Sequence, residues 1–178
     1  MTLSRVSAIA ALLVLVLAAS ASAVQVAYDE SYLVGDLAGD NGLACHALVD
    51  LTDGIYTYTY TLIYTAGVGG IHVFDVENPN GTWYFDATGT GFTAPADGNS
   101  LWLEWLGGEM NVGETRTFSY KSYAAPMEIE VWTYVIDGGT SAVGTTLGMG
   151  AYIPEPSSLI AFAFGAAGLV PIVIRRRK

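Results

Sequence analysis

Between Ile55 and Thr65 the chain alternates with a period of two. Tyr56, Tyr58, Tyr60, Leu62 and Tyr64 fall on one face; Thr57, Thr59, Thr61 and Thr65 fall on the other, with Ile55 and Ile63. Successive side chains of a strand point to opposite faces, so this run predicts a β-strand. Its tyrosine face reads as one wall of a core whose hydroxyls reach the rim; a carbohydrate-stacking platform is the competing reading. Shorter runs of Val, Ile, Thr, Tyr and Trp follow the same rule between turn residues. They predict strands at Val24 to Tyr28, Leu43 to Val49, Ile71 to Val76, Thr82 to Ala87, Leu101 to Leu106, Glu114 to Tyr120 and Met127 to Ile136, with a last one within Ser141 to Tyr152. Gly67-Val68-Gly69-Gly70, Asn78-Pro79-Asn80-Gly81, Gly107-Gly108 and Asp137-Gly138-Gly139 mark breaks, and Thr88 to Ser100 reads as a Gly-rich loop. No helical period competes in this region.

The two ends break the pattern. Met1 to Ala23 has Arg5 in a short basic region, an apolar run from Ala8 to Ala19, and the small-residue site Ala21-Ser22-Ala23. That is the layout of a secretory signal peptide, cut so that the mature chain begins at Val24. It implies passage through the Sec translocon and cleavage by signal peptidase; an uncleaved N-terminal anchor is the alternative. A lipid-anchored start would need a Cys at the new N-terminus, and the one Cys is Cys45.

At the other end, Ile153-Pro154-Glu155-Pro156-Ser157-Ser158 precedes an uncharged segment, Leu159 to Ile174, and the chain ends Arg175-Arg176-Arg177-Lys178. The prolines favour an extended entry, and Ser157 or Ser158 can cap a helix. A helix over 157–174 would span about 27 Å, against a hydrocarbon core of roughly 30 Å. Gly165, Gly168 and Pro171 are tolerated in such a helix. The positive-inside rule keeps residues 175–178 in the cytoplasm and the rest of the chain outside. The expected anchor is therefore the inner membrane.

Removing residues 1–23 and 153–178 leaves 24–152, roughly 130 residues, enough for one domain with its own core. The strand count and spacing predict an all-β fold, a single β-sandwich of immunoglobulin/fibronectin-like or jelly-roll-like type, flanked by the signal helix and the transmembrane helix. Within this domain only Arg116 and Lys121 stand against 16 acids, a charge near −14. Such a surface repels nucleic acid and anionic polysaccharide at low salt. It can attract Ca²⁺ or serve solubility alone.

Chemistry is sparse. A single Cys excludes an internal disulfide, and Cys45 reads as a buried apolar residue of the Leu43 to Val49 run. Cys45 and His46 point to opposite faces of a strand and cannot act as nucleophile and base. With His72 they are too few for a dedicated zinc site. Glu128 and Glu130 share a strand face about 7 Å apart, a spacing inverting glycosidases use, but a solvated acidic edge accounts for them as well. Asp36, Asp40 and Asn41 occupy a Gly-rich loop without the spacing of an EF-hand. No phosphate loop, no Gly-x-Ser-x-Gly elbow and no basic patch is present. No cofactor is expected.

The tail resembles a PEP-CTERM sorting tail: a Pro-Glu-Pro triplet, an apolar helix and a terminal Arg cluster, in that order. A related tail is also catalogued as an ice-binding-protein C-terminal type, a label for the tail and not for the domain. The resemblance implies handling by an exosortase, a membrane cysteine protease of exopolysaccharide-making Gram-negative bacteria, with Pro154, Glu155 and Pro156 as its recognition residues. More loosely, Tyr58-Thr59-Tyr60-Thr61-Leu62, Ile71 to Val76 and Gly113 to Phe118 are similar to strands of other PEP-CTERM passenger domains. That likeness implies a β-sandwich and no active site.

The expectation is a non-enzymatic surface or extracellular-matrix protein, sorted by its tail. A carbohydrate-binding module or adhesin, using Trp102, Trp105 or Trp132 with or without a bound Ca²⁺, is the alternative. A flat patch of those indoles would favour it, and burial of all three would exclude it. A hydrolase would need a convergent acid pair or a Cys-His contact in a pocket.

Overall fold

A computed structural model describes residues 23–38, 41–135 and 140–151. The signal peptide up to Ser22, the predicted turn at 136–139, and the whole tail with its Pro-Glu-Pro motif, membrane helix and basic end lie outside the described residues.

The described chain is all-β, with nine strands: β1 Val24–Tyr32, β2 Leu43–Thr52, β3 Ile55–Tyr64, β4 Ile71–Glu77, β5 Tyr84–Gly89, β6 Trp102–Met110, β7 Thr115–Ser122, β8 Pro126–Tyr134 and β9 Ser141–Met149. They form two antiparallel sheets, ordered β1-β2-β3-β7-β5 and β6-β4-β8-β9. The predicted runs fall on these strands, with one error of substance. Gly107-Gly108 does not end a strand. β6 runs through it to Met110, and three residues of β6 bulge opposite His72 between the pairs Ile71–Met110 and Val73–Leu106. Gly107 takes a φ of 78°, and a side chain on Gly108 would collide with the ring of Phe92. The glycines therefore bend β6 where no other residue fits.

β2 and β3 meet in a two-residue hairpin at Asp53-Gly54, both at positive φ, the geometry that matches strand twist. This hairpin sets the register Val49–Tyr58 and Ala47–Tyr60, which turns the tyrosine face inward. Tyr58, Tyr60, Leu62 and Tyr64 are fully buried and Tyr56 is half-buried. Across the sheets Tyr60 meets Phe74 at 5.7 Å, and Phe74 meets Phe118 at 4.7 Å between ring centroids. Trp105 closes the cluster at 5.7 Å from Phe118.

The hydroxyls of these tyrosines do not reach a rim; they are bonded inside. Tyr58 donates to the Ala124 carbonyl at 2.6 Å, Tyr60 to the Leu147 carbonyl at 3.0 Å, and Tyr64 to Leu37 and Gly69 carbonyls at 3.2 Å. Buried phenols need such partners, and here they tie strand side chains to loop and edge backbone. Burial pushes the Tyr58, Tyr60 and Tyr120 phenols well above their usual range, so all three stay neutral.

Candidate functional site

Each predicted position can now be placed. Cys45 is buried on β2, and burial pushes its thiol up to about 12. His46 lies on the opposite face, where its Nε2 is 3.4 Å from Glu30. His72 sits in the β4–β6 bulge on the other sheet, its Nδ1 buried without a partner. The structure does not join these three into a catalytic group. Asp36 and Asn41 are described and Asp40 is not. Among the described residues no group of three or more His, Cys, Asp and Glu is placed to hold a metal ion. Ala23 and Val24 stand at the exposed start of β1.

Glu128 and Glu130 are exposed on β8 but have different surroundings. Glu128 lines a side cleft of about 350 Å³ between β1 and β9, with Asp29, Ser31 and Thr146. Glu130 belongs to the outer face of the four-stranded sheet: its backbone N–H donates to Glu77 at 3.1 Å. The side cleft that Glu128 lines does not include Glu130.

The three indoles divide. Trp105 is 0% exposed and its Nε1 donates to the Thr88 carbonyl at 2.8 Å. Trp102, three residues earlier on the same strand, points outward and is 39% exposed. Trp132 is half-buried on the same outer face, with its Nε1 3.4 Å from Glu130 and its ring 6.4 Å from that of Tyr134.

The strand register arranges this face. Glu77 of β4 is opposite Trp102 of β6; Asp75 is opposite Glu104 on one side and Trp132 on the other; Val73 is opposite Leu106 and Tyr134. Neighbouring strands lie about 4.8 Å apart, so Asp75, Glu77, Glu104 and Glu130 lie close together on one face, interleaved with Trp102, Trp132 and Tyr134. Asp75 is 6% exposed. The Tyr134 hydroxyl donates to its Oδ2, while Oδ1 has no partner. Burial, followed by the Glu104 charge, raises this carboxyl to about 6 despite the tyrosine's opposing hydrogen bond.

A second aromatic site escaped the sequence reading. Trp83 and Tyr123, 56% and 53% exposed, line a cleft of about 510 Å³ with Asn80, Gly81, Thr82 and Ala151. Thr82 holds the chain here by donating to the Gly150 carbonyl at 3.0 Å. The signal for it was available, since Trp83 stands two residues after the Asn78-Pro79-Asn80-Gly81 turn. The pairing that brings Tyr123 and Ala151 beside it is long-range.

A family model described as the PEP-CTERM protein-sorting motif matches residues 153–178. No curated protein and no solved structure matches the chain. The motif implies export and exosortase-dependent sorting. Among the described residues no helix is long and apolar enough to cross a membrane.

Proposed function

We propose that this chain is a non-enzymatic passenger protein, exported through the Sec translocon, held in the inner membrane by residues 157–174, and delivered by an exosortase to the cell surface or extracellular matrix. The observation that carries the reading is the motif match at residues 153–178, joined to an all-β domain of two antiparallel sheets. In this reading Pro154, Glu155 and Pro156 are what the exosortase recognises, and residues 175–178 stop transfer at the cytoplasmic side. Replacing Pro154, Glu155 and Pro156 together with Ala in the native host tests it. The expected result is loss of the protein from the surface fraction and retention in the membrane fraction. An unchanged distribution would overturn the assignment.

A second reading has its own support. Trp102 and Trp132 lie on the same outer sheet face, which favours a carbohydrate-binding module or adhesin, with exopolysaccharide as partner. Trp105 takes no part, because it is in the core. Binding of neutral and charged polysaccharides to immobilised protein, compared between the wild type and Trp102→Ala, tests this reading. A difference between the two proteins supports it, and equal binding overturns it.

A further inference from the structure

The geometry points to the outer face of the four-stranded sheet as a platform for glycan chains that carry free amino groups, a substrate class for the carbohydrate-binding reading on which this inference rests. Three observations lead there. First, the acids of the face are uncompensated. Like charges directly opposite on neighbouring strands destabilise a sheet, yet Asp75 and Glu104 occupy such a pair. The ion pairs among the described residues lie elsewhere: His46 with Glu30, Arg116 with Glu114 and Lys121 with Asp86. Local rules broken without internal compensation mark functional places.

Second, Asp75 is a hydrogen-bond acceptor held ready. Its side chain is nearly buried, Tyr134 fixes one oxygen, and the other oxygen has no donor. Buried polar atoms are normally satisfied, so an outside donor is the missing part. A hard metal ion does not suit the face, since no three ligating groups converge among the described residues. An ammonium group suits it better: it brings three donors and a charge to the carboxylates, and it gains from the faces of Trp and Tyr.

Third, the shape and spacing fit a polymer. Trp102 and Glu104 lie on β6, Asp75 and Glu77 on β4, and Glu130, Trp132 and Tyr134 on β8, so aromatic rings and carboxylates are interleaved across three neighbouring strands. A saccharide chain that crosses these strands meets indoles for its rings and carboxylates for its amines. A domain charge near −14 attracts such a polycation and repels uronic-acid or sulfated polymers.

The experiment uses the full chain in detergent, titrated with a β-1,4-linked glucosamine oligomer and with its fully N-acetylated counterpart, read by calorimetry and tryptophan fluorescence. The amine oligomer is expected to bind at least about tenfold more tightly, with affinity falling as salt rises. Glu104→Gln and Trp132→Ala should each weaken it by about threefold to tenfold, while Glu114→Gln, in the turn between β6 and β7 where Glu114 pairs with Arg116, should not. Both test positions are on an outer face, and unfolding curves for each variant establish that it is folded. Equal affinity for the two oligomers, lost in Trp132→Ala, would overturn the amine preference and leave the carbohydrate reading standing. Binding of neither oligomer would overturn both. Amine binding that survives both variants would locate it in the overall charge and overturn the site.

Discussion

On the five-stranded sheet the outer face carries Thr57, Thr59, Thr61 and Ser119, and Lys121 there is held by Asp86 at 2.9 Å. On the four-stranded sheet the outer face carries Trp102, Trp132 and Tyr134 around Asp75, Glu77, Glu104 and Glu130, with no cation among them. Both sheets bury an apolar inner face, so the need for a core does not explain the difference. Threonine is β-branched, favours strands and bonds water with its hydroxyl, so the threonine centre of the first face is accounted for by folding alone, and at its β1 edge Glu30 has His46 and the Tyr28 hydroxyl as partners. Asp and Glu disfavour strands and repel one another across them, so folding alone would not select the second. A face that works against the fold is the better place to look for function.

The largest expected contrast lies between the two indoles of β6. Trp105→Ala empties a core position against Phe74 and Phe118 and should destabilise by about 3–5 kcal/mol. Trp102→Ala, on the outer face, should stay within about 0.5 kcal/mol. Thermal unfolding of the two variants measures both. Similar losses would mean that the outer face is structural too.

The next effect is one of pH. The Asp75 carboxyl titrates near 6 when folded, against an ordinary value of 3.8. Between those values the folded state holds more protons than the unfolded state. Stability from this group therefore falls as pH rises from about 4 to about 6, by about 3 kcal/mol, and is level above. Denaturant midpoints across that range should show the slope, and Asp75→Asn should remove this group's share of it.

A smaller loss is expected inside the tyrosine ladder. Tyr60→Phe removes the hydroxyl shared with Tyr120 at 3.1 Å and leaves the Leu147 carbonyl without that donor, costing about 1–2 kcal/mol by denaturant unfolding. Thr59→Val, directly across β3, should shift stability by about 0.5 kcal/mol or less. The reverse order would place the core on the wrong face. Cys45 supplies the smallest test: its thiol, buried and pushed up to about 12, should resist alkylation until the protein is unfolded.

The strands were readable because period-two alternation is a local signal, clearest at Ile55 to Thr65. The hydrophobic faces followed from it: Phe118 with Tyr120, and Ile129 with Val131, point inward as the alternation required. Gly107-Gly108 misled because glycine marks a bulge as readily as a turn, and only the partner strand distinguishes the two. The candidate face was half visible. Trp102 and Trp132 were singled out, but Asp75 and Glu104 were not, since nothing local places residue 75 opposite residue 104. Trp105 was taken with its neighbours because a strand run of Trp-Leu-Glu-Trp does not say which indole faces in. Pairings such as β3 with β7 and β4 with β8 join distant segments and leave no local mark.

Intact mass of the protein recovered from membrane, cell-surface and medium fractions of the native host tests the sorting reading most directly. A chain beginning at Val24 and ending near Pro154, found outside the membrane, is the expected result. A chain kept whole through Lys178 in the inner membrane, with none at the surface or in the medium, would contradict it and leave a plain membrane anchor.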